Sequence, residues 1–302
     1  MRLVTFALHG SRAPRVGVLT SDDDVVDIGA TAADRGLQLP FDANDMVSVI
    51  AAGDSALDAL RHLVGIASPV PGSRVRLLAP IPRPRKNVFC VGWNYQEHFE
   101  EGQAVRKTAD ELPSHPVFFS KAVTSVIGPD DPIPLDARVT RRMDWEAELG
   151  VVIGKAGKNI TEADAMDHVL GYTVINDVSA RDLQRRHGGQ WMKGKSLDGT
   201  CPLGPCIVTR DELDWANLRV LTRLNGVVKQ DARTSCMYFK LPRLIAELSL
   251  GMTLEPGDIL STGTPPGVGF ARTPPEYLAP GDVLETEIEG IGVLRNRVIA
   301  VA

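Results

Sequence analysis

The segment DWEAELGVVIG, Asp144 to Gly154, sets two glutamates two residues apart in a run otherwise suited to a buried strand. Successive strand side chains point to opposite faces. Glu146 and Glu148 therefore share one face, and Trp145, Ala147 and Leu149 the other. Like charges side by side on a strand repel. A solvated edge strand would tolerate them, but the apolar continuation LGVVIG runs into a core. A further carboxylate, Asp177, closes the next strand-like segment, GYTVIND. Three carboxylates at strand ends, with no nearby arginine to neutralise each one, are costly to bury unless a cation is shared. All-oxygen ligation points to Mg2+, Mn2+ or Ca2+ rather than zinc, and Mg2+ leaves coordination positions for a substrate.

Other groups with chemical potential flank this set. VSARDLQRRHG reads as a helix with Ser179 as its N-cap. Arg181 and Gln184, three apart, lie on one helical face. Arg181 follows Asp177 by four residues, and an arginine beside a metal suits a carboxylate or enolate. Arg185 and Arg186 read as a solvated basic face. The Gly- and Pro-rich loop WMKGKSLDGTCPLGP holds Lys193 and Lys195, one of them set over a substrate or both exposed. GWNYQEHFEEG holds His98 and Glu101, neighbours on one helical turn. A carboxylate-held histidine is a common general base, and a surface ion pair is the plain reading of the same spacing. Residues 99–115 are polar and unpatterned and fit a mobile lid carrying that pair.

The elements that must position these groups are mostly strands. VFFSK, EAELGVVIG, GYTVIND, CIVT, RVLTRLNG, DILSTG, DVLETEIEG and GVLRNRVIA carry β character, and the helices TEADAMDHVL, ARDLQRRHG and FKLPRLIAELS are few and short. PGD at Pro256–Asp258 and at Pro280–Asp282 reads as a tight turn before a strand. The alternation lacks the βα rhythm of a doubly wound sheet, so the class is α+β, mixed and mainly antiparallel. Residues 1–80 read as a small N-terminal α/β domain, divided by the proline-bearing LLAPIPRPRKN from a catalytic domain at 81–302. The 302 residues suffice for a sizeable core. A formal net charge of -5 gives no basic footprint for nucleic acid. No run is long enough to cross a bilayer, and the N-terminus lacks the apolar stretch of a signal peptide. The four cysteines match neither a zinc module nor a disulfide framework, which suits a reducing cytoplasm.

Taken together, the blocks VGWNYQEHFEE, HPVFFSKAVTSVIGP, DWEAELGVVIGK, GYTVINDVSARDLQ, KGKSLDGTCPLGP, RLNGVVKQ, LEPGDILSTGTPPGVG and PGDVLETEIEGIG resemble, in order, the fumarylacetoacetate hydrolase family. The similarity is strongest to its branch of fumarylacetoacetate hydrolase domain-containing proteins. The resemblance implies a mixed β-roll catalytic fold, a homodimer and Mg2+ or Mn2+, with Ca2+ a substitute in crystals. It implies Glu146, Glu148 and Asp177 as metal ligands and His98 with Glu101 as a catalytic dyad. It further implies Lys195 as the loop lysine, Arg181 and Gln184 as substrate contacts, and Gly263 with Thr264 as a carboxylate-binding turn. The founding fumarylacetoacetase carries an additional upstream Asp ligand with no counterpart here, which argues against fumarylacetoacetate itself as substrate.

Family members act on 2-oxo acids whose carboxylate and keto oxygen chelate the ion, which stabilises an enolate. The first expectation is an enzyme that hydrolyses a C–C bond in an acylpyruvate- or fumarylpyruvate-type 2,4-dioxo acid, as in aromatic catabolism. The alternative is oxaloacetate decarboxylation or tautomerisation, or isomerisation of a 2-hydroxyhepta-2,4-dienedioate. A catalytically silent metal- or ligand-binding protein on the same fold is the reading of another class, and the intact dyad and carboxylate triplet argue against it.

Overall fold

The computed structural model of the chain describes residues 1–106 and 111–301. Residues 107–110, within the segment expected to form a lid, lie outside the described residues. The class is α+β, and mixed, mainly antiparallel sheet is the larger part of its regular structure.

The segment that opened the sequence analysis forms the strand Ala147–Ile153, buried along its whole length. Its neighbours are Val169–Asn176 and Ile259–Ser261, both antiparallel to it, so it is an interior strand. The alternation predicted from strand geometry is realised. Ala147, Leu149, Val151 and Ile153 enter one apolar cluster with Leu241, Leu244, Ile245 and Leu248 of the helix Leu241–Ser249. Val152, on the glutamate face, enters a second cluster with Met46, Ile50, Leu60 and Leu63. Apolar burial of this kind contributes about 25 cal/mol per Å2, which is why the strand is held on both faces despite its glutamates.

The large sheet runs from Val25–Asp27 through Arg15–Leu19, Arg2–Leu8, Cys201–Thr209, Val169–Asn176, Ala147–Ile153, Ile259–Ser261 and Val88–Gly92 to Val117–Lys121. Residues 1–80 thus add strands to the same sheet, Arg2–Leu8 pairing with Cys201–Thr209. A second sheet orders Val227–Arg233, Arg219–Leu224, Val283–Ile288, Gly292–Ala300 and Ile133–Leu135. Among the described residues no helix is long and apolar enough to cross a membrane.

Two local expectations fail. TEADAMDHVL forms only a 3-10 turn at Ala165–His168, because Val169 and Leu170 are drawn into the sheet as the first residues of Val169–Asn176. Ser179 does not cap the following helix. It pairs with Asp144 in a two-stranded ladder, its hydroxyl donates to the carbonyl of Asp177 (2.8 Å), and Ala180 is the N-cap of Arg181–Arg186. The helical turn expected to carry His98 and Glu101 is part of the longer helix Gln96–Arg106, which also takes in the first residues of the segment expected as a lid.

Candidate active site and metal centre

Glu146, Glu148 and Asp177 converge. One carboxylate oxygen from each lies within 4.8 Å of the others, and all three residues are buried. Register explains the meeting: the Asp177 amide donates to the Glu146 carbonyl (2.8 Å), while the Glu146 amide donates to Asn176 Oδ1 (3.0 Å). The expectation that no arginine would lie nearby is corrected. Arg181 Nη1 is 2.6 Å from Glu146 Oε1. Lys195 Nζ lies 2.6 Å from Glu146 Oε2 and 2.7 Å from Asp177 Oδ2. Lys121, absent from the sequence-based candidates, is fully buried with Nζ 2.8 Å from Asp177 Oδ1, and it donates to the carbonyls of Val178 and Lys195.

Glu148 is treated differently. Its Oε2 accepts from Ser261 Oγ (2.6 Å) and from the Gly263 amide (2.8 Å), and among the described residues no lysine or arginine pairs with it. Burial pushes Glu148 up, to about 8, reinforced by the charges of Asp177 and Glu146. Burial would raise Glu146 too, but Lys195 and Arg181 hold it well below the ordinary range. Burial would lower Lys195, and Asp177 and Glu146 more than reverse that, so its ammonium is retained.

This donor set fits a divalent ion. Three hard oxygen donors face one point, the Lys195 ammonium already stands where positive charge is wanted, and Glu148 is left with a charge deficit that a cation would remove. Mg2+ and Mn2+ both suit it.

His98 and Glu101 come together as the spacing predicts, His98 Nδ1 to Glu101 Oε1 at 2.8 Å, with His98 only 8% exposed. A carboxylate accepts, so Nδ1 carries a proton, and Nε2 stands outside that hydrogen bond. The second oxygen of Glu101 accepts from the Gly267 amide (2.9 Å), tying the dyad to the loop after Thr264. That burial and double anchoring do not describe a surface ion pair.

A cavity of about 240 Å3 opens at the carboxylates, lined by His98, Glu146, Glu148, Arg181, Gln184 and Lys195 together with Thr264 and Phe270. Of the two loop lysines, Lys195 is buried and Lys193 exposed. Gln184 Oε1 accepts from Arg181 Nη1 (3.2 Å). Thr264 lines the cavity, its hydroxyl donating to the Ala147 carbonyl (3.0 Å) and accepting from Gln230 Nε2 (2.8 Å). The Gly263 amide is engaged by Glu148 and does not open into the cavity. Gly263 has φ +97, and a Cβ there would meet the Asn94 Cβ at 2.7 Å, so the turn requires glycine. Arg185, set aside above as a solvated residue, lines the cavity, its guanidinium 5.5 Å from the Phe270 ring centroid. Trp93 and Trp191 form an aromatic rim with Phe99 and Phe119. Arg185, Lys121 and the rim aromatics all lay within segments quoted from the sequence, but nothing local marked them as site residues.

Comparison with known proteins follows this geometry. Residues 87–299 match the family model described as fumarylacetoacetate (FAA) hydrolase C-terminal. The chain is 44% identical over 301 residues to the Rattus norvegicus protein named oxaloacetate tautomerase Fahd2a, mitochondrial, covering 99% of this chain and 92% of that one. A solved fumarylacetoacetate hydrolase from psychrophilic Exiguobacterium antarcticum superposes with a TM-score of 0.84 at 40% identity, covering 100% of both chains. A maleylpyruvate hydrolase from Sphingobium sp. SYK-6, in complex with manganese(II) ion and pyruvate, does so at 0.78 and 29% identity, again over 100% of both chains.

Proposed function

The chain belongs to the fumarylacetoacetate hydrolase family, and we propose that it is a divalent-metal-dependent tautomerase of a short 2-oxo diacid, oxaloacetate first among them. Hydrolysis stood first on sequence grounds. The relative named as an oxaloacetate tautomerase, similar over nearly the whole chain, supports the alternative better and reverses that order. The observation that carries the reading is a single proton relay, His98 on Glu101, facing a small cavity whose wall also holds Arg181 and Arg185. Moving one proton between C3 and the keto oxygen needs one well-placed base. C–C hydrolysis needs in addition a held water and protonation of the leaving carbon.

When bound at Glu146, Glu148 and Asp177, the divalent ion supplies a Lewis acid for the carboxylate and keto oxygens of the substrate. The rest falls to the chain. His98 Nε2 carries one proton between C3 and the keto oxygen, from C3 to oxygen in enolisation and from the enol oxygen to C3 in ketonisation, and Glu101 holds the ring in the required tautomer. Lys195 and Arg181 sit where negative charge grows as the enolate forms. Gln184 orients the guanidinium, and Thr264 completes the lining. Arg185 at the mouth suits the second carboxylate of a diacid. The homodimer belongs to the same proposal and is tested by sedimentation at micromolar concentration.

The deciding experiment follows the ultraviolet absorbance of enol-oxaloacetate with protein and Mg2+, with pyruvate assayed in parallel. Catalysed ketonisation without pyruvate release is expected. Faster release of pyruvate from an acylpyruvate than ketonisation of oxaloacetate would restore the hydrolase reading.

A further inference from the structure

Asp144 begins the segment that carries the two glutamates and is fully buried, yet the mechanism above does not use it. Its Oδ1 accepts from the amides of Trp145 (2.8 Å) and Gly269 (2.6 Å), and its Oδ2 from the Phe270 amide (2.9 Å) and Arg181 Nε (2.8 Å). One carboxylate thus holds two parts of the cavity wall that are remote in sequence. The first is the guanidinium of Arg181. The second is the turn Gly269–Ala271, whose Phe270 ring lies over that guanidinium, 4.5 Å from its centroid. The approach is tight, since a Cβ at Gly269 would fall 2.7 Å from Asp144 Oδ1 and 2.1 Å from the Glu276 carbonyl.

The consequence lies in how the donors of Arg181 are assigned. Nε goes to Asp144, and Nη1 goes to Glu146 and Gln184. Among the described residues Nη2 is buried without a partner. A buried guanidinium donor left unpaired is unfavourable unless a ligand completes it. The planar fork means that fixing Nε and Nη1 also fixes the direction of Nη2.

We propose that Asp144 is a positioning residue for substrate: it locks the Arg181 guanidinium and the Phe270 turn into one wall, so that Arg181 Nη2 presents a preset donor to an anionic oxygen in the cavity. This rests on the proposed role of Arg181 in holding substrate, and the test separates the two. Asp144→Asn keeps volume and some hydrogen bonding but removes the charge that orients the guanidinium.

The probe is oxalate, titrated calorimetrically into Mn2+-loaded protein. Arg181→Met should weaken oxalate binding at least tenfold, and unchanged affinity there would overturn the underlying role of Arg181. Asp144→Asn should weaken it by about tenfold, the worth of a charge-assisted hydrogen bond, with Mn2+ affinity altered less than threefold. In turnover the loss should fall on KM and kcat together, because Arg181 is proposed both to hold substrate and to face the growing enolate charge. A residue that merely stabilised the fold would lower melting temperature and leave both constants alone, which would overturn the proposal. Arg181→Lys gives an independent arm should Asp144→Asn fail to fold. It keeps the charge but has no donor at the Nε position, so it should bind oxalate nearly as poorly as Arg181→Met. Wild-type affinity in Arg181→Lys would show that the anchored fork is not what orients the donor.

Discussion

Glu146 and Glu148 stand two residues apart on one strand, face the same way and are both buried, yet their surroundings are opposite. The Glu146 end of the cluster is walled by charge: Arg181 on one carboxylate oxygen and Lys195 on the other. The Glu148 end is walled by neutral donors, a hydroxyl and a backbone amide, and Glu148 is pushed up to about 8. Similar burial therefore has opposite outcomes, because desolvation disfavours the charged form and only a nearby cation reverses it. The difference suggests a division of labour. The Glu146 end gathers Arg181 and Lys195, the groups proposed to hold the enolate charge. The Glu148 end reserves negative charge for a cation from outside the chain.

The largest expected effect falls on both ends together. Exhaustive chelation should abolish turnover, and Mg2+ or Mn2+ should restore it. Full activity in metal-free protein would remove the reason for a charge-deficient Glu148. The next effect is confined to the chemical end. His98→Ala should lower kcat by about 10^2- to 10^4-fold, the usual worth of a positioned base, with metal affinity nearly unchanged. Glu101→Gln should also be damaging, and the double variant should be far from additive because both residues serve one proton transfer. Steady-state rates at saturating Mg2+ check this, and wild-type kcat in His98→Ala would move the proton relay elsewhere.

The pairing of the two glutamates on one face followed from strand periodicity alone, and the dyad from helical spacing, because both depend on positions a few residues apart. Their contrast could not be read this way. It depends on Ser261 and Gly263, which reach Glu148 across 113 and 115 residues, and on Lys195, 49 residues from Glu146. Asp144 was in plain view at the head of the same segment. Its partners at Gly269 and Phe270 are 125 and 126 residues away, so nothing local marked it. Lys121 looked like the end of an apolar strand and became significant only when the sheet carried it to Asp177. The α+β class was readable because hydrophobic alternation is local. Val169 and Leu170 show the limit, since sheet pairing overrode the helical pattern of their segment.

A smaller effect concerns pH. Below the ordinary glutamate value of 4.5, Glu148 is protonated in both folded and unfolded chains. Between there and about 8 the unfolded chain gives up the proton while the metal-free fold keeps it. The folded state then binds more protons, so its stability falls as pH rises through that window and levels off above it. Glu146, held low, works in the other direction: its contribution is present above 4.5 and is lost as pH falls through its depressed folded value. A divalent ion must displace the Glu148 proton. Mn2+ affinity should therefore rise about tenfold per pH unit between pH 6 and 8, with about one proton released at pH 7. Calorimetry in two buffers of different ionisation enthalpy measures that proton. None released would mean that the two glutamates are alike.

The smallest effect isolates the neutral end. Ser261→Ala removes the hydroxyl that donates to Glu148 Oε2 at 2.6 Å and leaves the Gly263 amide on the same oxygen. Glu148 would keep one of its two donors, and its ionised form would be less well supported. The change leaves Glu146, Arg181, Lys195 and the His98 dyad untouched, so the chemical end should not register it. Mn2+ affinity should fall by about three- to tenfold, the range of one hydrogen bond to a carboxylate partly compensated by its neighbour. At saturating metal, kcat should stay within about twofold of wild type. Calorimetric titration and a metal-saturation curve for turnover test both statements on one preparation. If kcat fell at saturating metal while affinity held, the hydroxyl would be acting on substrate, and the separation between an anchoring end and a chemical end would be wrong.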